Sequence, residues 1–158
     1  MNKKIWAGVI VVVFLGVWWG IPTFNKRQAD QQVDALCAKD GGVQVYETVT
    51  LLKERFNTLG QPQVPDKDYA KLTDEYFSTW VSNDIRGNSN AGTSDALVIF
   101  RGESIYFRRS DGKILGRLIT YARRGGDPIG PWHPSHYSCP SQINLLSKIF
   151  IKRTGDKS

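Results

Sequence analysis

The sequence predicts an α+β domain with an antiparallel sheet and flanking helices, preceded by an N-terminal transmembrane helix. Three observations predict this class. A twenty-residue uncharged run lies near the N-terminus, and apolar and polar residues alternate between turn signals in the second half of the chain. Helically spaced apolar residues precede and follow these alternating segments. With 158 residues, 41% of them hydrophobic, the chain suffices for one folded domain and excludes a large two-domain enzyme.

The uncharged run extends from Ile5 to Phe24. Twenty helical residues rise about 30 Å, the thickness of the hydrocarbon core of a bilayer, so we expect this segment to contact lipid. Trp18 and Trp19 suit the bilayer interface, and Pro22 is expected to end or bend the helix. The alternative is a cleaved signal peptide, but residues 25–30 (NKRQAD) offer no small-residue cleavage site, which favours an uncleaved anchor.

Two cysteines, Cys37 and Cys139, allow one intramolecular pairing, and we expect them to form a disulfide. Such a bond persists in an oxidising compartment, which would place the domain in the periplasm or the cell exterior and the N-terminus in the cytoplasm. The alternative is two independent buried thiols in a cytoplasmic domain. The charges that flank the run do not decide its orientation, because Lys3 and Lys4 before it are matched by Lys26 and Arg27 after it.

We expect three units: an N-terminus and anchor over residues 1–26, a domain over residues 27–152, and a disordered tail over residues 153–158. The domain begins with a helix over Arg27–Asp40, whose apolar stripe includes Cys37 and which ends at Gly41-Gly42. A half-buried strand is predicted over Val43–Leu51. Between residues 52 and 95 the pattern does not distinguish helix from strand.

An antiparallel meander is predicted after residue 95, where strand-like runs alternate with turn signals. Its three strands are expected at Ala96–Phe100, Ser104–Arg109 and Ile114–Arg123. Asp111-Gly112 predicts a two-residue hairpin turn, which pairs Ile105 with Leu118 and groups both on an apolar face with Phe107 and Ile114. The opposite face would carry arginine and tyrosine side chains, either as a solvated surface or as a binding face for an anionic partner.

Gly125–Pro140 contains four prolines and three glycines, a composition that predicts irregular structure. A final helix is expected to begin at Pro140-Ser141 and to continue through Phe150. Trp132, on this proline-stiffened loop, is a plausible anchor for a binding partner, because an aromatic side chain on a rigid loop loses little entropy when it docks. The candidate binding residues are those of the loop and its borders: Arg123, Arg124, Asp127, Trp132, His133, His136 and Tyr137.

The formal net charge of +6 comes largely from residues that flank the uncharged run. The segment from Asp30 to Phe100 is acidic, whereas the segment from Arg101 onward holds 11 basic and 4 acidic residues. This basic meander could meet an anionic envelope polymer, lipid head groups or an acidic protein of the envelope. It could equally pair with the acidic half of its own domain. Nucleic acid is not an expected partner of an exported domain.

His133 and His136 form an H-x-x-H pair, with Asp127 as a third candidate metal ligand. A zinc site needs three or four ligands, and these are the only histidines, so the sequence predicts no metal site and no cofactor. Neither a G-x-S-x-G nor a phosphate-binding loop is present, and we expect no catalytic residues.

Several stretches carry a resemblance to known sequences: LCAKDGGVQVYETV from Leu36, YARRGGD from Tyr121, GPWHPS from Gly130, and SCP from Ser138. On these stretches the chain resembles a group of uncharacterised small membrane-anchored or exported proteins of Gram-negative bacteria. The resemblance implies an envelope protein with a Cys–Cys pair. An inner-membrane location with the domain in the periplasm is the hypothesis that the apolar run and the cysteines support. It implies no activity and no catalytic residue.

The leading hypothesis is a single-pass, membrane-anchored periplasmic protein that acts by binding, through the rigid Pro/Gly/Trp loop and the basic meander. An immunity or inhibitor protein is a sharper form of the same class. The alternatives are a cell-wall-active or metal-dependent enzyme that uses His133, His136 and Asp127, and a subunit of a larger envelope complex.

Overall fold

The computed structural model describes residues 3–89, 96–128, 133–140 and 145–153. It contains two helices and an antiparallel sheet, and a small second sheet lies beside them, so the predicted mixture of helix and antiparallel strand is confirmed. The elements follow in the order α1 (Lys3–Asp40), β1 (Gly42–Val45), β2 (Val49–Leu51), β3 (Tyr76–Arg86), β4 (Val98–Arg108), β5 (Ile114–Arg124), β6 (His136–Cys139), α2 (Leu145–Ile149) and β7 (Phe150–Lys152). A single 3₁₀ turn occupies Lys53–Arg55 between β2 and β3.

Helix α1 is one uninterrupted helix of 38 residues, which corrects the prediction of two helices separated at Pro22. Proline lacks one N–H group, so it removes a single helical hydrogen bond, and the residues on both sides continue the helix. The helix crosses the predicted border between anchor and domain at residues 26 and 27. It ends at Asp40, where the Gly41 N–H group donates to the Cys37 carbonyl at 2.8 Å and Gly42 adopts a φ of +114°.

The two halves of α1 have different surroundings. Its N-terminal half is exposed, apolar and long enough to cross a membrane, a property that it shares with signal sequences. Its C-terminal half is packed into the domain: Ala29 and Val33 are fully buried, and Cys37 lies one helical turn further along the same stripe.

The main sheet has the strand order β1-β5-β4-β3, and β6 pairs with β5 along the same edge as β1. All of these pairings are antiparallel. The predicted single strand over Val43–Leu51 is wrong: β1 belongs to the main sheet, whereas β2 pairs in parallel with β7. The chain leaves the main sheet at Tyr46 and Glu47, whose N–H groups both donate to the Leu115 carbonyl, at 2.9 and 3.0 Å.

The first two predicted meander strands are one strand, β4, which continues through Gly102. The indole ring of Trp80 on β3 lies over this glycine, and a Cβ at position 102 would overlap the ring. Gly102 therefore makes room for an aromatic neighbour and does not mark a turn.

The hairpin register differs by one residue from the prediction. Ile105 pairs with Arg117 instead of Leu118. The loop contains four residues, 109–112, and is closed by an Arg108 N–H bond to the Lys113 carbonyl at 2.9 Å, so Phe107 pairs with Ile114, two residues from the predicted Gly116. An irregularity between Tyr106 and Phe107 then returns one residue, and the remaining difference is one residue. Gly112 has the expected positive φ, +68°. Since adjacent strand residues point to opposite faces, this shift separates Ile105 from Leu118 and corrects the predicted faces.

Hydrophobic side chains cover both faces of the sheet. On one face, Ile99, Ile119 and Tyr121 pack against the C-terminal half of α1. On the other face, a second cluster joins the sheet to α2, β2 and β7. Its buried members are Leu51, Tyr76, Leu115, Leu145, Ile149 and Phe150.

Two predictions near the C-terminus are corrected. The loop predicted to be irregular across Gly125–Pro140 contains strand β6, because residues 135–139 are free of proline and pair with β5. The final helix is short and is followed at Phe150 by strand β7, where a continued helix was expected. Its predicted start at Ser141 and the tail after residue 153 lie outside the described residues.

Candidate functional site

The end of the domain where α1 enters, here called the entry end, is organised around Arg123. This side chain is only 2% exposed. Its Nε donates to Asp30 Oδ1 on α1 at 2.6 Å, and its Nη1 donates to the Gly125 carbonyl at 2.6 Å and to Ser135 Oγ at 2.9 Å. The sequence placed Arg123 on an exposed contact surface; the structure places it inside, where it joins α1, β5 and the loop before β6.

Asp127 makes a second connection between this loop and α1. Its Oδ1 accepts a hydrogen bond from Lys26 Nζ at 2.6 Å, and its Oδ2 accepts one from the Ser135 N–H group, also at 2.6 Å. Burial raises the pKa of the Asp127 carboxyl, but the hydrogen bonds from Lys26 and Ser135 outweigh it and lower that pKa to about 2. Asp127 is therefore ionised, and both of its oxygens are occupied.

The remaining predicted contact residues differ in their accessibility. Arg124, His133 and His136 are exposed. Tyr137 is half-buried, and its hydroxyl donates to Asp34 Oδ1 on α1 at 2.8 Å, a bond that raises the pKa of Tyr137. The entry end thus has exposed groups, Arg124, His133 and His136, beside the side chains of Arg123 and Asp127, whose hydrogen bonds lie within the domain.

Trp132, the predicted anchor residue of this loop, lies outside the described residues. Over the described ranges, no three His, Cys, Asp or Glu side chains come together in a group that could hold a metal ion. Asp127, the third candidate ligand beside His133 and His136, has its oxygens engaged with Lys26 and the Ser135 N–H group.

Cys37 and Cys139 form a disulfide, as the sequence predicts. The bond joins the buried stripe of α1 to the end of β6, with Cα atoms 6.1 Å apart and a sequence separation of 102. Together with Arg123 and Asp127, it holds the loop between β5 and β6 against α1.

The arginines of the meander are largely engaged within the domain. Arg101 Nη1 lies 2.6 Å from Glu103 Oε2, and Arg117 lies 3.7 Å from the other oxygen of that carboxylate. Arg108 pairs with Glu47, which also binds Lys113 at 2.7 Å, and the hydrogen bonds from Lys113 and Arg108 lower the pKa of Glu47. The pairs of Glu47 join the basic half of the domain to its acidic half, as in the alternative interpretation of the charges, whereas Glu103 belongs to the basic half itself.

A second surface, which the sequence did not predict, lies at the opposite end of the sheet from the entry end. We call it the far-end surface and define it by exposed side chains of the segment between β2 and β3: Leu52, Arg55, Leu59, Tyr69, Lys71 and Leu72. Leu59, Tyr69 and Leu72 are 81%, 84% and 89% exposed, the highest values among the large hydrophobic side chains of the described domain. The segment is held beside the hairpin turn by Arg109, whose N–H group donates to the Glu75 carbonyl at 2.8 Å.

Two clefts adjoin in this surface and share Arg55. One, of about 440 Å³, is lined by Tyr69, Lys71 and Asp74 among others; the second, of about 390 Å³, reaches Leu52 and Tyr76. Burial, and next the hydrogen bond to Glu75, raise the pKa of the Tyr76 hydroxyl. The two clefts are thus lined by aromatic, aliphatic, cationic and acidic groups, a mixture that suits a polypeptide segment.

The signal for this surface in the sequence is weak. Leu59 is an isolated apolar residue near glycine and prolines, whereas the spacing of Tyr69, Leu72 and Tyr76 is compatible with a helix or a strand. The structure forms neither element at Tyr69 and Leu72, so their exposure could not be inferred from the pattern.

Comparison with known proteins adds no assignment to these two surfaces. No protein-family model, no curated protein and no solved structure matches this chain.

Proposed function

We propose that this chain is a single-pass membrane protein of the bacterial envelope, with a short cytoplasmic N-terminus and a periplasmic domain that binds another envelope protein through its far-end surface. The proposal rests first on the continuity of α1. An exposed apolar half and a buried half belong to one helix, so the segment that would enter lipid is also a structural part of the domain.

The same continuity favours an uncleaved anchor over a signal peptide. Ala29 is fully buried, and Lys26 is bonded to Asp127, so the packed part of α1 begins two residues after the apolar run ends at Phe24. A protease would need extended backbone at a site that is helical and close to packed domain. The residues around this border are also not the small ones that such a site requires.

The disulfide supports the orientation. It joins α1 to β6 across 102 residues, and bonds of this kind are kept in oxidising compartments. A periplasmic location of the domain satisfies this requirement, and the N-terminus then remains in the cytoplasm.

A binding role for the far-end surface follows from its composition. Leu59, Tyr69 and Leu72 expose more than four-fifths of their surface to water, which is unfavourable unless a partner covers them. Arg55 and Lys71 border the larger cleft and would favour a partner segment that carries carboxylates.

Reporter fusions test the topology. Alkaline phosphatase fused after Ser158 is expected to be active, because this enzyme folds only after export, whereas green fluorescent protein at the same position should be dark. The intact mass of the membrane-bound chain should include residues 1–24. A fluorescent fusion with inactive phosphatase would refute the topology, and a chain that begins after Phe24 would refute the anchor.

Photo-crosslinking tests the binding surface. A benzophenone amino acid at Leu72 is expected to give one discrete adduct in intact cells, with the same partner captured from Leu59. Val81 on β3 provides a control, since it is a half-exposed apolar residue outside the far-end surface. Equal adducts from Leu72 and Val81, or none from either far-end position, would contradict the binding role.

A further inference from the structure

The entry end of the domain lies at a depth that α1 fixes. If the apolar run occupies the hydrocarbon core, as proposed above, Phe24 marks the boundary of that core. Helical residues rise about 1.5 Å each, so Lys26 lies about 3 Å and Asp30 about 9 Å beyond the boundary. The head-group layer is roughly 5–8 Å thick on each side, so these two residues lie within it or at its outer edge.

Parts of the domain are bonded directly to these two residues. Asp127 accepts a hydrogen bond from Lys26, and Arg123 donates one to Asp30, each at 2.6 Å. Ser135 is in turn bonded to both Asp127 and Arg123. The loop between β5 and β6 therefore cannot rise away from the level of Lys26 without breaking these contacts.

The charges at this end are not balanced. The carboxylates of Asp30 and Asp127 are each paired with a cation of the domain or of α1. Arg27, next to Lys26 on α1, is exposed. So are two strand-end residues at the same end of the sheet, Arg86 and Arg124.

Another acidic side chain at this end, Asp84, is hydrogen-bonded to a neighbouring residue of the same chain. Asp84 accepts hydrogen bonds from the Ser89 N–H and hydroxyl groups, at 2.7 and 2.9 Å. Asp34, one turn beyond Asp30 on α1, is exposed and accepts a hydrogen bond from the Tyr137 hydroxyl. The other exposed groups named at the described entry end are the three guanidinium groups and the imidazoles of His133 and His136.

We propose that the entry end binds the anionic head groups of the bilayer that α1 crosses, with Arg27, Arg86 and Arg124 as its phosphate-contacting residues. This proposal rests on the anchoring proposed above. Guanidinium groups form paired hydrogen bonds with phosphate oxygens, and a basic residue near an anionic membrane strengthens binding about fivefold. The contact would hold the domain against the lipid and leave the far-end surface directed away from it.

The test uses the full chain in lipid nanodiscs made either of phosphatidylcholine alone or with 30% phosphatidylglycerol, each containing a head-group nitroxide lipid. Because Cys37 and Cys139 are bonded to each other, a cysteine introduced by His133→Cys is the free thiol that takes a fluorescent label. Ser110→Cys, exposed in the hairpin turn at the opposite end of β5, is the matched control. We expect strong nitroxide quenching at position 133, at least twofold greater in the anionic discs, and little quenching at position 110.

The basic residues are tested by replacing Arg27, Arg86 and Arg124 with Gln together. This variant should lose the difference between the two lipid compositions, whereas Arg55→Gln with Lys71→Gln, a change of charge at the far-end surface, should keep it. All five side chains are exposed or border an open cleft, so both variants are expected to fold.

Three results would overturn the proposal. Equal quenching at positions 133 and 110 in a chain that has inserted would refute the head-group contact alone and leave the anchor intact. Quenching at position 133 that is the same in both lipids would refute recognition of anionic head groups. A chain that fails to enter the nanodiscs would refute the anchor and, with it, this inference.

Discussion

Replacement of Arg123 by Met tests whether this buried guanidinium holds the entry end together. The side chain is 2% exposed and donates to Asp30, to the Gly125 carbonyl and to Ser135. Methionine fills most of the same volume but provides no donor, so all three acceptors lose their partner. The carboxylate of Asp30 then keeps its charge beside an apolar side chain.

The expected loss of unfolding free energy depends on how completely the acceptors are buried. Removal of one member of a fully buried ion pair costs about 3–5 kcal/mol. The side chain of Asp30 is 28% exposed and can recover part of its hydration, so the lower limit applies, and we expect the free energy of unfolding to fall by about 3 kcal/mol. Arg124→Met, the exposed neighbour on the same strand, should change it by less than about 0.5 kcal/mol.

The assay is urea unfolding of the oxidised full chain in non-ionic detergent micelles, followed by tryptophan fluorescence. A double-mutant cycle with Asp30→Asn isolates the pair, and we expect a coupling free energy of about 1–2 kcal/mol between the two positions. Equal stability of Arg123→Met and Arg124→Met would contradict this role of Arg123. So would a double variant whose loss of unfolding free energy equals the sum of the losses of Arg123→Met and Asp30→Asn.

Three other substitutions test separate features by the same unfolding measurement. Replacement of Cys37 and Cys139 by Ser opens a loop of 102 residues, and the chain-entropy relation gives a loss of about 4–5 kcal/mol; a loss below about 1 kcal/mol would contradict the disulfide's stabilising role. Asp127→Asn should destabilise the chain by about 1–2 kcal/mol at pH 7, after allowance for partial screening of its partner by solvent. Because the pKa of Asp127 is lowered from 3.8 to about 2, the stabilisation is complete above about pH 5 and is lost as the pH falls through 2. The difference between the variant and the native chain should shrink over that range, and a constant difference between pH 7 and pH 2 would exclude this carboxylate as the cause. Gly102→Val places side-chain atoms where the indole ring of Trp80 lies and should lower the free energy of unfolding by about 1–3 kcal/mol. Unchanged stability would mean that the ring is free to move away.

The elements that local patterns determine could be predicted from the sequence. The uncharged run, the apolar stripe that carries Cys37, the turn at Gly112 and the long strand β5 each result from neighbouring residues, and each is present. The hairpin register was wrong because Asp111-Gly112 is compatible with both loop lengths, and because the register also depends on the irregularity between Tyr106 and Phe107, which no local pattern indicates.

The candidate site was harder to predict, because its contacts join residues that are far apart in the chain. Arg123 has the sequence environment of an exposed cation at a strand end, and its burial depends on Asp30, 93 residues earlier. The far-end surface could not be predicted, because the spacing of Tyr69, Leu72 and Tyr76 does not distinguish a helix from a strand, and Tyr69 and Leu72 lie in neither.

The uninterrupted α1 helix leaves no hinge between the apolar segment and the folded domain. If the apolar run crosses the bilayer as proposed, Asp40 lies sixteen residues beyond Phe24, and the last turn of the helix would stand about 24 Å above the lipid boundary, at a height that no linker can adjust. A rotation or tilt of the helix in the bilayer would then turn the whole sheet with it. A protein arranged in this way would present itself to its neighbours at a constant distance and in an orientation set by the membrane.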